Sequence, residues 1–457
     1  MARLTVALCA LTAASAMPAT AQTAASSMSP VNERAIDLAR ALETFDVAWK
    51  TVRDGYYDDG MRTVDWDGVR TELRPRAARA RTTAQLRSVV SEMLSRIGES
   101  HFALIPDDVA HDVTTADSDA GAGGAGDVGL ELRVVEERLL VSRVAPGSSA
   151  ARAGVRAGWV LDAVGGRRFS ELPATVRGIA GERERRIAMQ RLPRVAEQRL
   201  AGEIGSAVRL RLRDARDRHV SLSLVRRATP GEPVRYGNLP TLLAELSHER
   251  VPEGDRCVGV IRFNIWMPVV GAAFSQAMDD LRDCAGMVID LRGNPGGVAA
   301  MVMGIAGHFL ADAAPLGVMR TRGTELRFVA NPQRANAAGL SVEPFRGPLA
   351  ILVDARSVST TEMFAVGMQK TGRARVFGDT TAGQALPAIA TRLPNGDVLM
   401  HVIADFTAPD GTRIEGRGAI PDEVVPLRRA DLIAGRDAPL IAACRWIARS
   451  IDRPHQH

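Results

Sequence analysis

Ser359-Thr360-Thr361-Glu362 stands where a short apolar run, 348–354, gives way to a helical run that continues through Met363 and Phe364. A serine at a strand-to-helix junction points its hydroxyl at the first unpaired N–H groups of the helix, whose partial positive charge stabilises anions. That suits a nucleophile, because the oxyanion formed during acyl transfer needs such donors. The same four residues also read as a capping box, and most serines in that pattern only cap a helix. Three further signals carry possible chemistry. Asp290-Leu291-Arg292-Gly293-Asn294-Pro295-Gly296-Gly297 lies at a strand end, where glycines let backbone N–H groups approach a substrate, although an ordinary βα turn looks the same. Ser100-His101 begins a strand-like run, and a histidine there can move protons or simply sit satisfied in the structure. Glu415 lies in the Gly-rich loop 414–422, where a charged residue is commonly just solvated.

These residues need elements to position them. From 31 to 97 the apolar spacing is helical, with Leu38, Leu42, Phe45 and Trp49 in one stripe and Leu86, Val89, Val90, Met93, Leu94 and Ile97 in another. The pattern ends at Gly98, and 99–105 reads as a strand. Residues 116–126 are a Gly/Ala/Asp-rich linker. Short strands follow at 128–135, 139–144, 159–164, 207–212 and 220–225, with a charged helical segment at 175–202 inside them. From about Tyr236 strands and helices alternate: strands at 258–263, 286–291, 349–353 and 375–378, helices at 272–282, 298–311 and 360–371. Alternation at this spacing argues for an α/β layer with a largely parallel sheet. A last helical segment covers 431–450.

Taken in order, the pieces resemble the C-terminal-processing and tricorn-type serine peptidases, over about 41–426. The matching pieces are Asp65-Trp66, Gly98-Glu99-Ser100-His101, the loop 290–297, Ser359-Thr360-Thr361-Glu362, Gly378-Asp379-Thr380-Thr381-Ala382-Gly383 and the loop 415–422. The resemblance implies a crotonase/ClpP-like βα catalytic core at 236–450. It also implies an N-terminal helical region at 31–110 carrying the Ser-His pair, and an inserted β-rich, PDZ-like domain at 127–228 with Gly129 and Leu130 in its peptide-binding loop. One branch of this clan pairs the serine with a lysine, but the matching position is Gln384, whose amide is not basic. The tricorn-like branch uses a tetrad, and the sequence offers each member: Ser359 as nucleophile, His101 as base, and Ser100 and Glu415 to hold the imidazole. The Thr360 N–H and one from Gly296 or Gly297 would form the oxyanion hole. The implied activity is endopeptidase cleavage of proteins or peptides without a cofactor. A catalytically inactive binding protein on the same scaffold is the alternative.

Bulk properties fit this reading. The chain has 457 residues, enough for two or three domains. Its 58 basic and 53 acidic residues leave a charge of +5, spread along the chain. No basic-aromatic interleaving suggests a nucleic-acid partner, and the dense basic stretch 183–199 reads as a solvated helix face. No Cys or His pair has zinc spacing. Arg3, the apolar residues 4–16 and Ala19-Thr20-Ala21 read as a secretory signal over 1–21, too short to span a bilayer, so a periplasmic or secreted protein is expected. In an exported chain Cys257 and Cys284, each just ahead of a strand, could bridge, with Cys444 left over in a helix.

Overall fold

The computed structural model describes residues 37–107 and 126–452. The expected signal segment 1–21 and nearly all of the linker 116–126 lie outside them. The centre of the molecule is a six-stranded sheet in the order Leu246–Glu253, Arg256–Phe263, Gly286–Asp290, Leu349–Val353, Arg375–Gly378, Glu423–Val424. The first pair is antiparallel and the others are parallel. Strands Gly286–Asp290 and Leu349–Val353 are buried along their whole length, and this explains why they are apolar except for Asp290. Their alternate residues feed two cores. Met287, Ile289, Leu349, Ile351 and Val353 pack with the helices Pro268–Leu281, Met301–Gly307 and Thr360–Lys370, while Val288, Ala350 and Leu352 pack against Ala443, Cys444 and Ile447 of the helix Ala438–Asp452. The parallel pairing of 256–263 with 286–290 brings Cys257 and Cys284 to a Cα separation of 4.8 Å, where they form a disulfide. Cys444 is a free, buried thiol.

Three N-terminal helices, Leu38–Gly55, Trp66–Ala77 and Thr83–Ser95, form a core of their own that also takes in Leu386, Leu393, Leu399 and Val402. The short strand Ala103–Ile105 then pairs antiparallel with Val398–Val402. That pairing delivers His101 to the core from nearly 300 residues away in sequence. Strands Leu130–Val135, Arg138–Val144, Val160–Val164, Ala207–Arg213 and His219–Val225 make a separate sheet with its own apolar interior.

Several boundaries differ from expectation. The strand expected over 99–105 begins only at Ala103, because His101 adopts φ +60° and breaks the extended chain. The 298–311 helix shrinks to Met301–Gly307, since the Val298 N–H is donated to the Trp266 carbonyl. The 175–202 segment is two helices, Leu172–Arg177 and Glu182–Leu200, and the second is more than a solvated face. Its Leu192, Ala196 and Leu200 enter the β-rich core, and its Gln190 and Glu197 reach the central domain. The C-terminal segment likewise divides into Arg429–Ile433 and Ala438–Asp452.

Candidate active site

Ser359 is the residue before the helix Thr360–Lys370, held at φ +59° and ψ −122°. A non-glycine residue at positive φ is strained, and such strain concentrates at functional sites. It gives a sharp strand-to-helix elbow, the backbone shape that presents a serine hydroxyl in a nucleophile elbow. The backbone around it is tied down. The Ser359 N–H donates to the Gln384 carbonyl (2.9 Å) and the Glu362 carboxylate (2.9 Å). The Glu362 N–H turns back to the Ser359 carbonyl (2.8 Å). Glu362 is fully buried and also accepts N–H groups from Gly383 (2.7 Å) and Gln384 (3.0 Å) and the Thr381 hydroxyl. Burial raises its pKa to about 7 against the pull of those donors. The sequence-level capping glutamate thus fastens the 381–384 segment behind the serine.

The histidine arm is organised by Glu415, which is buried. Its carboxylate accepts the Ser100 hydroxyl (2.9 Å), the Ser100 N–H (3.2 Å) and the Ala385 N–H (2.9 Å). The Ser100 Oγ lies 2.8 Å from His101 Nδ1. A hydroxyl has one proton, and the carboxylate can only accept, so Ser100 gives its proton to Glu415 and accepts from Nδ1–H. This assigns the tautomer and leaves the lone pair on Nε2, the atom available as a base. Burial, aided by the Arg194 guanidinium, lowers the His101 pKa from the usual 6.5 to about 4 and keeps the imidazole neutral. Segment 383–385 links the two arms, since Gln384 holds Ser359 and Glu362 while Ala385 holds Glu415. Among the described residues no three His, Cys, Asp or Glu side chains cluster in a way that could hold a metal ion.

The glycine loop lies against the helix start. Asn294, fully buried, accepts the Gly296 N–H (2.9 Å) and the Thr361 hydroxyl (3.0 Å) and donates to the Phe263 carbonyl (3.0 Å). A Cβ on Gly296 would come within 2.7 Å of the Ser359 Cβ and 3.0 Å of the Thr360 nitrogen, so only glycine allows this approach. Gly296 was expected as a possible oxyanion donor, but its N–H is spent on Asn294. The N–H groups of Gly297 and Thr360 have no acceptor among the described residues. Gly129, expected in a peptide-binding loop, has its N–H donated to its neighbour Asp127, and the edge strand that starts at Leu130 has the Leu132 N–H donated to Glu197 (3.0 Å). Lys370 is turned away in an ion pair with Asp410 (2.7 Å).

Sequence reasoning missed the residues that brace this geometry. Glu99, next to Ser100, accepts from Arg413 (2.7 Å) and the Tyr56 hydroxyl and pairs with Arg62 (3.2 Å), so the loop carrying Glu415 is pinned to the turn carrying Ser100. Asp354 accepts both Arg133 Nε of the β-rich sheet (2.6 Å) and the Gly293 N–H (2.9 Å). Arg292 joins Asp290 (2.8 Å) to Asp437 (2.7 Å) and fixes the glycine loop to the C-terminal helix.

Residues 257–425 match the model of peptidase family S41, and residues 39–95 match that of the tricorn protease C1 domain. The carboxyl-terminal-processing protease of Picosynechococcus is 26% identical over 398 residues, 86% of this chain and 85% of its own length. The chloroplastic C-terminal processing peptidase of Tetradesmus obliquus is 27% identical over 414 residues, 86% of this chain and 80% of its own. Among solved structures, the photosystem II D1 C-terminal processing protease shares the fold with a TM-score of 0.56 and 23% identity, over 89% of this chain and 96% of that one. The protein is therefore a serine-type peptidase. Within that class its similarity is to family S41 over residues 257–425, and to the carboxyl-terminal-processing and tricorn-related peptidases.

Proposed function

We propose that the chain is an exported endopeptidase that hydrolyses peptide bonds of proteins or peptides through a Ser359–His101–Ser100–Glu415 tetrad. The observation that carries this reading is the Ser100 hydroxyl, 2.8 Å from His101 Nδ1 and 2.9 Å from the Glu415 carboxylate. His101 Nε2 takes the Ser359 proton as Oγ attacks the substrate carbonyl, and the resulting oxyanion is met by the N–H groups of Thr360 and Gly297. The imidazolium then passes its proton to the leaving amine, and water, deprotonated by the same nitrogen, releases the acyl group. Gln384 occupies the place of the alternative lysine base and cannot accept a proton.

The β-rich unit is read as a PDZ-like domain. In this state its peptide edge is closed by Glu197 and by Asp127, so substrate would have to displace them. The 257–284 disulfide suits an oxidising compartment and supports the exported assignment. A serine-directed phosphonate should label the wild type and fail on Ser359→Ala, with casein hydrolysis lost in that variant and in His101→Ala. Labelling that survives Ser359→Ala refutes the nucleophile, and full activity in His101→Ala refutes the tetrad. Peptide binding with equal, near-zero hydrolysis by wild type and Ser359→Ala would make the chain an inactive binder.

A further inference from the structure

The helix Glu182–Leu200 presents a polar face that the catalytic scheme does not use. Gln190, Arg194 and Glu197 share that face at i, i+4 and i+7. Glu197 grips Arg356 (2.6 and 2.7 Å), three residues before Ser359. At the other end the Gln190 side-chain carbonyl accepts the Gln384 amide (3.2 Å), and Gln384 is the residue whose own carbonyl holds the Ser359 N–H. The face therefore straddles the nucleophile over a rise of about 10 Å, with Arg194 between its two anchors.

Arg194 is half-buried and in electrostatic contact with His101. Three of its charged neighbours, Arg356, Arg191 and Arg133, are also cations. The acidic neighbour, Glu197, is committed to Arg356 and the Leu132 N–H. Among the described residues Arg194 has no ion pair or hydrogen bond. Gln190 is only 3% exposed, yet its Nε2 has no partner, and the buried Arg356 Nε has none either. The region beside the serine therefore holds several unspent donors. Buried donors are normally satisfied, so this set marks a place completed by a ligand that accepts hydrogen bonds.

We propose that Arg194 and Gln190 form a receptor for a substrate carboxylate next to the scissile bond, so that the enzyme selects polypeptides with negative charge there. The proposal rests on Ser359 being the nucleophile. The carboxylate has two sources, an acidic side chain flanking the bond or the free C-terminus of a short departing segment. Either one also offsets the Arg194 charge that opposes protonation of His101, so the same contact favours proton transfer.

The test uses four fluorescent peptides of one sequence, combining Glu or Gln beside the cleaved bond with a free or amidated C-terminus. Binding is measured to Ser359→Ala and to Ser359→Ala/Arg194→Met, with thermal unfolding as the folding control. A charge-assisted contact predicts that one charged arm binds about tenfold or more tighter than its neutral counterpart. That preference should fall to near one in the Arg194→Met background, and the arm that responds names the source. If the double variant does not fold, Gln190→Leu is measured in its place and should weaken the same preference. A preference that survives these changes, no preference in Ser359→Ala, or equal wild-type cleavage of all four peptides overturns the receptor. Failure of the phosphonate to label Ser359 in the wild type would instead overturn the nucleophile, so the two failures are distinguishable.

Discussion

Replacing Glu415 with glutamine removes one charge and almost no volume, so it isolates what the carboxylate contributes. Two hydrogen bonds in series, 2.8 and 2.9 Å long, separate the carboxylate from His101 Nδ1. The charge then lies about 5 Å from the ring, where a unit pair at an effective dielectric of about 20 interacts by about 3 kcal/mol. The interaction exists only once His101 has taken the Ser359 proton, so it belongs to the transition state and not to substrate binding. Glu415→Gln should therefore lower kcat about 10²-fold with KM nearly unchanged. The glutamine oxygen can still accept the Ser100 hydroxyl and the Ala385 N–H, but its NH2 would face the Ser100 N–H, a clash worth about 1 kcal/mol of stability. Steady-state rates on an internally quenched peptide, with Ser359→Ala as the floor and thermal unfolding as the control, measure the effect. A kcat within about fivefold of wild type, or a loss confined to KM, would mean that Glu415 only braces the loop and that the relay argument is wrong.

With His101 as the proposed base, its lowered pKa should set the acid limb of activity. The rate should hold well below pH 6.5 and fall only as pH nears about 4, and a pH profile of kcat/KM with its midpoint near 6.5 would contradict this. His308, buried and likewise lowered to about 4, adds a stability effect of known sign. Between pH 6.5 and 4 the unfolded chain binds protons that folded His101 and His308 refuse, so stability should drop as pH falls through that window, which denaturant titrations at several pH values can check. Glu362→Ala strands the N–H groups of Gly383 and Gln384 and the Thr381 hydroxyl, and leaves the Ser359 N–H only the Gln384 carbonyl; it should cost about 3 kcal/mol or more, with a matching loss of kcat, and an unchanged unfolding midpoint would count against the bracing role. Reducing the 257–284 bridge, which closes a short loop, should cost about 2–4 kcal/mol in denaturant unfolding, and identical curves with and without reductant would show that the bridge does not form in solution.

The residues legible in the sequence were those with local signatures. Ser359 and Glu362 announce a helix start, the 293–297 glycines announce a close backbone approach, and the apolar runs 286–290 and 349–353 announce buried parallel strands. What stayed hidden acts across long separations or without apolar patterning. Strand Leu246–Glu253 pairs at the sheet edge, where most of its residues face solvent, so no alternation marks it. Glu99 and Arg413 are an ordinary acid and base until a contact spanning 314 residues makes them the brace of the Ser100–Glu415 link. Gln190 and Glu197 lie in a charged helix whose composition reads as solvated, and only the fold shows which face turns inward. Arg413, two residues before Glu415, and Glu99, one before Ser100, were the available hint, since an opposite-charge pair flanking two proposed partners is consistent with bracing.

In the proposed tetrad, Gln384 is the reason the base must come from so far upstream. The backbone of 383–385 is needed whatever side chain it carries: its amides hold Glu362 and Glu415, and its Gln384 carbonyl holds the Ser359 N–H. Only the side chain at 384 is free to choose the chemistry. A lysine there would set an ammonium into a region that already contains Arg194, Arg356 and Arg133, raising the cost of charging His101 during proton transfer. A neutral lysine could serve as base, but then His101 and its Ser100–Glu415 support would have no work. In the proposed scheme a lysine at 384 and a histidine at 101 are alternative bases on one scaffold, and a neutral amide at 384 adds no charge against the protonated His101.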